Sequence, residues 1–216
     1  MSNSAMAIRW LGQAGYEDTL AEQNRLAAAC AAGTEPETLL LLEHLPVYTI
    51  GRTRDQSSLR TPDALPHPVI ETNRGGQATW HGPGQLVAYP ILDLQKYGKD
   101  LHLYMRFLED VVMATCAAFG VPGGRRDGLT GVWIEDRKIA SIGVGVRKWI
   151  SMHGLALNVS RSSLDAFRHI TPCGIAGVEM TCLESESGRL ITVEDTARVL
   201  AEVFENSLPG LASPPG

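Results

Sequence analysis

Short apolar runs separated by polar turns cover most of the chain, and they predict strands. Runs rich in Leu, Val, Ile or Tyr that end at turn residues predict strands over residues 7–11, 38–43, 47–50, 69–72, 86–92, 132–135, 138–146 and 150–159. Pro90 should interrupt the strand that contains it, because proline has no N–H for the ladder. Tight polar turns join the last three runs, which is typical of an antiparallel meander.

Apolar residues at spacings of three and four predict a helix over residues 101–119, with Asp100 as its N-cap. Further helices are predicted over residues 18–32, over residues 162–170 and from Thr192 onward. Strands and helices are interleaved, but hairpin-like spacing dominates the middle of the chain. We therefore expect an α/β fold of the α+β kind, a mixed and mostly antiparallel sheet with helices packed on it.

The 216 residues suffice for one sizeable core, and no internal linker is evident. The predicted domain covers residues 7–208. Residues 1–6 lack the basic and apolar regions of a secretory signal and resemble a disordered cloning remnant before a second start at Met6. Residues 209–216 are rich in Pro and Gly, which predicts a disordered tail.

The formal net charge of −5 gives no sequence-wide basic field, so a nucleic-acid partner is not expected. No apolar run reaches about 18 residues, so no membrane-spanning helix is expected either. The four cysteines are too few and too irregularly spaced for a disulfide framework. A reducing, cytoplasmic location fits this cysteine content best.

The segment RGGQATWHGPGQ, residues 74–85, is the first candidate site. Its four glycines disfavour regular structure and let a ligand approach the backbone closely, although a long irregular turn has the same composition. No Gly-Lys-Ser/Thr follows, which argues against a phosphate-binding loop of the Walker type. The segment also leads into a strand-like run rather than a helix, which argues against a dinucleotide fingerprint.

Two further segments carry reactive side chains. Lys138 begins the run KIASIG, in which Ile139, Ser141 and Gly143 alternate to form a face with little side-chain bulk. Such a face is able to receive a flexible chain, but a lysine beside a hairpin turn is more often simply solvated. Cys173 lies between a proline and a glycine just after a predicted helix, with little steric cover, although an unpaired cysteine is more often structural.

A metal site is not expected. Cys173 and Cys182 are nine residues apart, and His153 and His169 do not complete a usual zinc-ligand spacing. Cys30 and Cys116 fall within helical patterns, which favours a role as small core residues. Cys182 falls in a strand-like stretch.

Four segments, RGGQATWHGPGQ at 74–85, KIASIG at 138–143, HGLALN at 153–158 and TPCGI at 171–175, resemble the motifs of the octanoyl/lipoyl transferase family, in that family's order. The resemblance extends from about residue 38 to residue 180. It implies the fold of the biotin and lipoate protein ligase catalytic domains. It also implies an acyltransferase that takes an octanoyl or lipoyl group from acyl carrier protein. The acceptors would be lysines on the lipoyl domains of 2-oxoacid dehydrogenase complexes and on the glycine cleavage H protein.

By this resemblance Cys173 carries the acyl group as a thioester, and Lys138 lowers the pKa of its thiol. No cofactor or metal is implied, because thioester exchange needs no nucleotide. The acyl site would be lined by the following residues: Arg74, Gly75, Gly76, Gln77, Ala78, Thr79, Trp80, His81, Ser141, Ile142, Gly143, Gly154, Leu155 and Ala156. His81 would serve either as an auxiliary acid or base or as a group that pins the glycine-rich segment.

Two other functions stay open at this stage, an ATP-dependent lipoate or biotin ligase on the same fold and a non-catalytic module that binds an acyl carrier. The basic residues available for docking an acidic carrier are Arg125, Arg126, Arg137, Lys138, Arg147 and Lys148. Solvated surface charge would also account for them.

Overall fold

The computed structural model describes residues 6–60, 65–171 and 177–212, and the statements below concern these residues. The strands are Ala7–Ala14 (β1), Thr38–His44 (β2), Val47–Ile50 (β3), Val69–Glu71 (β4), Thr79–His81 (β5), Gln85–Ile91 (β6), Gly124–Arg126 (β7), Leu129–Ile134 (β8), Arg137–Arg147 (β9), Ile150–Asn158 (β10) and Glu179–Met180 (β11). The α-helices are Tyr16–Ala32 (α1), Leu101–Ala118 (α2), Leu183–Ser187 (α3) and Val193–Leu211 (α4). Short 3₁₀ helices cover Leu94–Tyr97, Arg161–Ser163 and Asp165–His169.

Two sheets organise the described chain. The larger has the order β1-β2-β6-β10-β9-β8-β7, with β11 added beside β9, and the smaller has the order β4-β3-β5. Only the pairs β1–β2, β9–β11 and β3–β4 are parallel among the described strands. The predicted mixed, mostly antiparallel sheet is therefore confirmed.

The apolar run in β2 is continuous because both faces of this strand are covered. Leu39 and Leu41 face a core shared with α2 and α4, whereas Leu40 and Leu42 face a second core that includes Leu26 of α1. Alternate side chains of a strand point to opposite faces, so a strand covered on both sides needs apolar residues at every position. This arrangement places α1 on one side of the sheet and the α2–α4 pair on the other.

Pro90 interrupts the sheet on one side only. The ladder from β6 to β2 continues through Pro90 to Ile91, whereas the ladder from β6 to β10 covers only Gln85 to Ala88. Beyond that point the hydroxyl of Ser151 donates to the Pro90 carbonyl at 2.8 Å and accepts from the Leu92 N–H at 2.9 Å. A side chain thus supplies the bonds that the proline removes from the ladder.

Several predicted boundaries differ from the structure. The helix α4 runs to Leu211, so the predicted tail begins too early; Leu211 is buried in the core, which favours helix continuation past Pro209. Met6, assigned to the disordered start, packs against the same core. The single helix predicted over residues 162–170 is two 3₁₀ helices. The short elements β5, β7, β11, α3 and Leu94–Tyr97 were not predicted, because none has enough residues to show a period.

Candidate active site

An open cavity with about 460 Å³ of empty space, solvent at its mouth included, lies between the glycine-rich segment and strands β6, β9 and β10. Its walls are formed by Arg74, Gly75, Gly76, Gln77, Ala78, Thr79, His81, Tyr89, Ser141, Ile142, Gly143, His153, Gly154, Leu155 and Ala156. Every residue predicted to line an acyl site borders this cavity except Trp80. Tyr89 and His153 were missed; His153 stands within the HGLALN motif, whereas nothing in the sequence marks Tyr89.

The glycines let two backbones approach each other at the cavity wall. The N–H of Gly75 donates to the Val144 carbonyl of β9 at 2.9 Å. A Cβ placed on Gly143 would lie 2.9 Å from the Gly75 carbonyl oxygen, closer than real Cβ contacts allow. Glycine is therefore required where the segment crosses β9. The side chain of Arg74 fixes the same crossing, since it donates to the Thr49 carbonyl at 2.7 Å and to the Thr49 hydroxyl at 2.8 Å.

Trp80 points away from the cavity. In β5 the side chains of Thr79 and His81 reach the cavity wall, and alternation turns Trp80 to the opposite face. There its ring lies 5.0 Å from the ring of Tyr48 and 5.0 Å from that of His67. Trp80 thus belongs to the small apolar cluster beneath the second sheet, and its predicted place in the acyl site is not supported.

A cluster of buried histidines and tyrosines forms one end of the cavity, and hydrogen bonding fixes the tautomer of His44. Its Nδ1 faces the Ala14 carbonyl at 3.2 Å, which only accepts, so Nδ1 carries the proton. Its Nε2 therefore accepts from the Tyr89 hydroxyl at 2.7 Å. Burial lowers the pKa of His44 to about 4, so the ring is neutral near pH 7.

His153 is held in an unusual backbone conformation for a strand. Its φ is +57°, in the left-handed region that costs a non-glycine residue about 1–2 kcal/mol. Gly154 follows because a Cβ there would lie 2.3 Å from the Ala88 carbonyl oxygen. Burial, with a smaller contribution from Arg74, lowers the pKa of His153 to about 4. The imidazole lies in the cluster, where its Nε2 is 3.5 Å from the Thr72 hydroxyl.

Lys138 is buried at the start of β9, with 1% of its surface exposed. Its Nζ donates to the Thr130 carbonyl at 2.8 Å and lies 5.2 Å from the centre of the Trp133 ring. Gly131 makes room for this side chain, since a Cβ there would lie 2.7 Å from the lysine Cε. Burying an ammonium is costly, so a neighbourhood shaped around one points to a function. The alternative of a solvated lysine is excluded.

Comparison with known proteins decides the family. Residues 15–205 match the family described as lipoyl protein ligase A/B catalytic domain. The chain belongs to this family. It is 53% identical to an octanoyltransferase of Geobacter sulfurreducens, over 97% of this chain and 87% of that protein. It is also 43% identical to an octanoyltransferase of Mycobacterium leprae, over 96% of this chain and 89% of that protein. The predicted enzyme class is thereby confirmed.

Solved structures described as lipoate protein ligases and as biotin protein ligases share the fold. A protein of Thermoplasma acidophilum, Ta0514, described as a putative lipoate protein ligase, superposes with a TM-score of 0.72 at 13% identity, over 95% of this chain and 85% of that chain. A biotin protein ligase of Aquifex aeolicus superposes with a TM-score of 0.61 at 12% identity, over 96% of this chain and 72% of that chain. The predicted likeness to these catalytic domains is confirmed.

The second predicted catalytic residue, Cys173, lies outside the described residues, so its distance from Lys138 stays a prediction. The described residues on either side of it are well anchored. The N–H of Thr171 donates to the Ser58 carbonyl at 2.7 Å. On the other side, Met180 of β11 pairs with Lys138 itself, and the N–H of Thr181 donates to the Lys138 carbonyl at 3.0 Å.

Two of the described cysteines, Cys30 and Cys116, do not have the surroundings of an activated thiol. Burial raises the pKa of the Cys116 thiol to about 12, and it also raises that of the half-buried Cys30. Cys182 was expected in a strand but lies buried at the N-cap of α3, 3.2 Å from the Ser185 hydroxyl. These side chains fit structural roles.

The basic residues predicted as one docking surface do not form one. The guanidinium of Arg125 donates to Glu109 and Asp110, and that of Arg137 donates to Glu186 at 3.0 Å. Arg147 and Lys148 lie at the opposite end of β9 from Lys138. The eleven residues of β9 span about 35 Å, so Arg147 and Lys148 lie far from Lys138 in space although they are near it in sequence.

Among the described residues, no helix is long and apolar enough to cross a membrane. Within the same ranges, no group of three His, Cys, Asp or Glu side chains is placed to hold a metal ion.

Proposed function

We propose that the protein is an octanoyltransferase that takes an octanoyl group from acyl carrier protein as a thioester on Cys173. It then passes the group to a lysine of a lipoyl domain. The observation that carries this proposal is the buried Lys138, whose strand continues directly into the cavity wall at Ser141, Ile142 and Gly143. The proposed catalytic lysine and the proposed binding site for the acyl chain therefore lie along one strand.

The chemistry follows from the properties of a thiol beside an ammonium. A thiol with a pKa of about 8.5 is mostly protonated at pH 7, and the thiolate is the nucleophile. An ammonium nearby stabilises the thiolate, so Lys138 would raise the reactive fraction of Cys173. The chain order supports such a meeting, because β11, which pairs with Lys138, begins six residues after Cys173.

The energetics make a nucleotide unnecessary. Exchange of the acyl group between the carrier thiol and Cys173 replaces one thioester with another, so it is close to isoenergetic. The second step turns a thioester into an amide and is downhill. The cavity supplies the apolar side chains of Ile142, Leu155 and Ala156 for the acyl chain, and burying each CH₂ contributes about 0.8 kcal/mol.

The acceptors that fit the proposal are lysines on the lipoyl domains of 2-oxoacid dehydrogenase complexes and on the glycine cleavage H protein. Such a lysine must enter as a narrow, extended side chain. Four glycines, Gly75, Gly76, Gly143 and Gly154, are among the residues that line the cavity, which fits an extended chain of this kind.

The decisive experiment is incubation of the protein with octanoyl-acyl carrier protein in the absence of ATP, followed by intact-mass measurement. We expect the mass of one added octanoyl group on the wild type and no such addition on Cys173→Ser. Adding a lipoyl domain should then move the octanoyl group onto that domain. The variant Cys116→Ser is the matched control, because that thiol is buried in the core.

A second candidate is an ATP-dependent ligase, favoured by the likeness of the fold to lipoate and biotin protein ligases. It predicts labelling of the lipoyl domain from free octanoate and ATP, with full activity in Cys173→Ser. That result, with no adduct from the carrier, would replace the transferase proposal.

A further inference from the structure

The side chain of Gln85 is fully buried beside the cavity, and its orientation is fixed by two backbone carbonyls. Asn158 donates through Nδ2 to the Thr181 carbonyl at 3.0 Å, so its Oδ1 is left to accept. Gln85 donates through Nε2 to that Oδ1 at 2.9 Å and to the Trp80 carbonyl at 3.2 Å. Carbonyl groups only accept, so neither amide is able to flip without losing these bonds.

This orientation determines the tautomer of His81. The remaining atom of the Gln85 amide, Oε1, lies 2.8 Å from His81 Nδ1, and an amide oxygen only accepts. His81 therefore carries its proton on Nδ1. Burial lowers the pKa of His81 well below its usual value, with smaller contributions from His44 and Arg74. The ring is neutral, and its Nε2 keeps a lone pair.

The lone pair of Nε2 is an acceptor on the cavity side. His81 borders the cavity, and no hydrogen bond joins its Nε2 to any residue in the described ranges. The cavity therefore presents a hydrogen-bond acceptor here, and not an acid or a donor for an oxyanion.

The same hydrogen-bond chain leads to the strand of Lys138. Asn158 follows Leu157, which pairs with Ala140 of β9, so it lies at the Lys138 end of β10. The Thr181 carbonyl that fixes Asn158 belongs to the residue whose N–H donates to the Lys138 carbonyl. His81 is thus joined, through Gln85 and Asn158, to the residue whose N–H bonds the Lys138 carbonyl.

We propose that Gln85 and Asn158 are positioning residues that hold His81 as its Nδ1–H tautomer, so that His81 Nε2 accepts an N–H from the amine that attacks the acyl group. This inference rests on the proposed function and assigns His81 to its second half-reaction. The attack forms the N–C bond and breaks the C–S bond of the thioester. One amine proton ends on the departing sulfur, and the N–H held by His81 is the one that the amide retains.

The tautomer is tested directly by ¹⁵N NMR of the histidines, with His81→Gln identifying the His81 signals. A protonated Nδ1 and an unprotonated Nε2 are expected in the wild type. Gln85→Leu, which removes the acceptor, should give a mixture of tautomers, whereas Gln85→Glu should restore the Nδ1–H form. A proton on Nε2 in the wild type would overturn the proposal.

The role is tested by measuring the two half-reactions separately. His81→Phe should slow transfer of the octanoyl group to a lipoyl domain at least tenfold more than it slows formation of the Cys173 adduct from octanoyl-carrier protein. A loss confined to adduct formation, or equal in both steps, would overturn the role of His81. Failure of the wild type to form any adduct would instead overturn the proposed function, and this role with it.

A pH profile separates positioning from mere structural support. The groups that face His81 are Tyr16 of α1, His44 of β2, Arg74 and His153 of β10. In Gln85→Glu the new carboxylate adds a negative charge at Nδ1 and raises the pKa of His81. Transfer to the lysine should then fall as the pH decreases through that raised pKa, a limb absent in the wild type. Identical profiles for the two proteins would contradict the proposal.

Discussion

At the scale of single residues, the site is built from polar groups that burial forces into defined protonation states. His44 and His153 have pKa values of about 4, and hydrogen-bond partners fix the tautomer of His44. Lys138 differs from these histidines, since its Nζ contacts a carbonyl oxygen and the face of an aromatic ring. Neutral histidines and a buried lysine thus occupy separate parts of one site.

The pairing of Lys138 with Cys173 is tested by the thiol. Lys138→Met keeps the side-chain volume and removes the charge, so the pKa of the Cys173 thiol should rise by about one unit or more. The pH profile of iodoacetamide capture at Cys173, followed by mass spectrometry, should shift to higher pH by that amount. Lys148→Met, at the far end of β9, is the control and should leave it unchanged. An unshifted profile in Lys138→Met would mean that the two groups are not neighbours.

The buried histidines predict an acid-sensitive fold. Their folded-state pKa values of about 4 lie below the unfolded value of about 6.5, so the unfolded chain binds more protons between these limits. The contribution of each neutral histidine to the free energy of unfolding is complete above pH 6.5. It is lost as the pH falls towards 4, and the loss is about 3 kcal/mol for each histidine. Urea denaturation from pH 7.5 to 4.5 measures this loss.

His44→Gln should flatten the acid limb, while the exposed His102→Gln should reproduce the wild-type curve. A wild-type free energy of unfolding that stays constant down to pH 4.5 would contradict the assigned neutral state.

At the scale of elements, the cavity exists because glycines let the 74–78 segment cross β9 and let β10 bend at His153. The relevant contacts are backbone to backbone, so no flexible side chain is available to move aside. A substitution at these positions should therefore change the shape of the cavity rather than be absorbed locally.

Gly143→Ala is the sharpest change of this kind. The added Cβ would lie 2.9 Å from the Gly75 carbonyl oxygen and 3.4 Å from Arg74 Cδ, so the segment must shift. We expect a free-energy cost of about 1–3 kcal/mol and a preference for acyl chains shorter than octanoyl. Competition between hexanoyl- and octanoyl-carrier donors measures the preference. Gly124→Ala, whose Cβ meets no atom within 4 Å, is the control; an unchanged preference in Gly143→Ala would count against the acyl site.

At the scale of the whole molecule, the proposed reaction brings an acidic protein together with an acyl carrier that is expected to be acidic as well. The formal net charge of −5 opposes this encounter, so local cations near the reacting end must offset it. Arg60 and Arg168 are both exposed. They lie beside two backbone hydrogen bonds, one between Arg60 and His169 and one between Ser58 and Thr171. Thr171 is the last described residue before Cys173. The two arginines suit this role better than the separated cations that sequence reasoning grouped together.

Charge reversal tests this surface. Arg60→Glu with Arg168→Glu should raise the KM for octanoyl-acyl carrier protein several-fold at low salt, because attraction becomes repulsion. The difference from wild type should shrink as salt is added, since exposed charges are screened. Arg147→Glu with Lys148→Glu makes the same change in net charge at the far end of β9. Equal effects of the two double variants would mean that only total charge matters.

The sequence by itself determined the strand and helix pattern, the family and almost all of the cavity lining. These properties depend on residues that are close together in the sequence. The two-residue and 3.6-residue periods of apolar positions predict strands and helices, and glycine-rich motifs indicate where another part of the backbone approaches closely, whichever part that is. Position in the motif also singled out Lys138, although nothing in its neighbourhood along the chain distinguishes it from a solvated lysine; its catalytic role stays a prediction.

Only the tertiary structure decided how distant segments meet. The direction of Trp80, away from the cavity and into a buried cluster, depends on how β5 pairs with β3. Tyr89 reaches the cavity because β6 lies next to β10. The separation of Arg147 from Lys138 depends on strand length in space rather than on sequence distance. The protonation states of the buried histidines are also decided by the tertiary structure, because burial and hydrogen-bond partners exist only when the chain has folded. His81 is an example, since its Nδ1 meets the side-chain oxygen of Gln85.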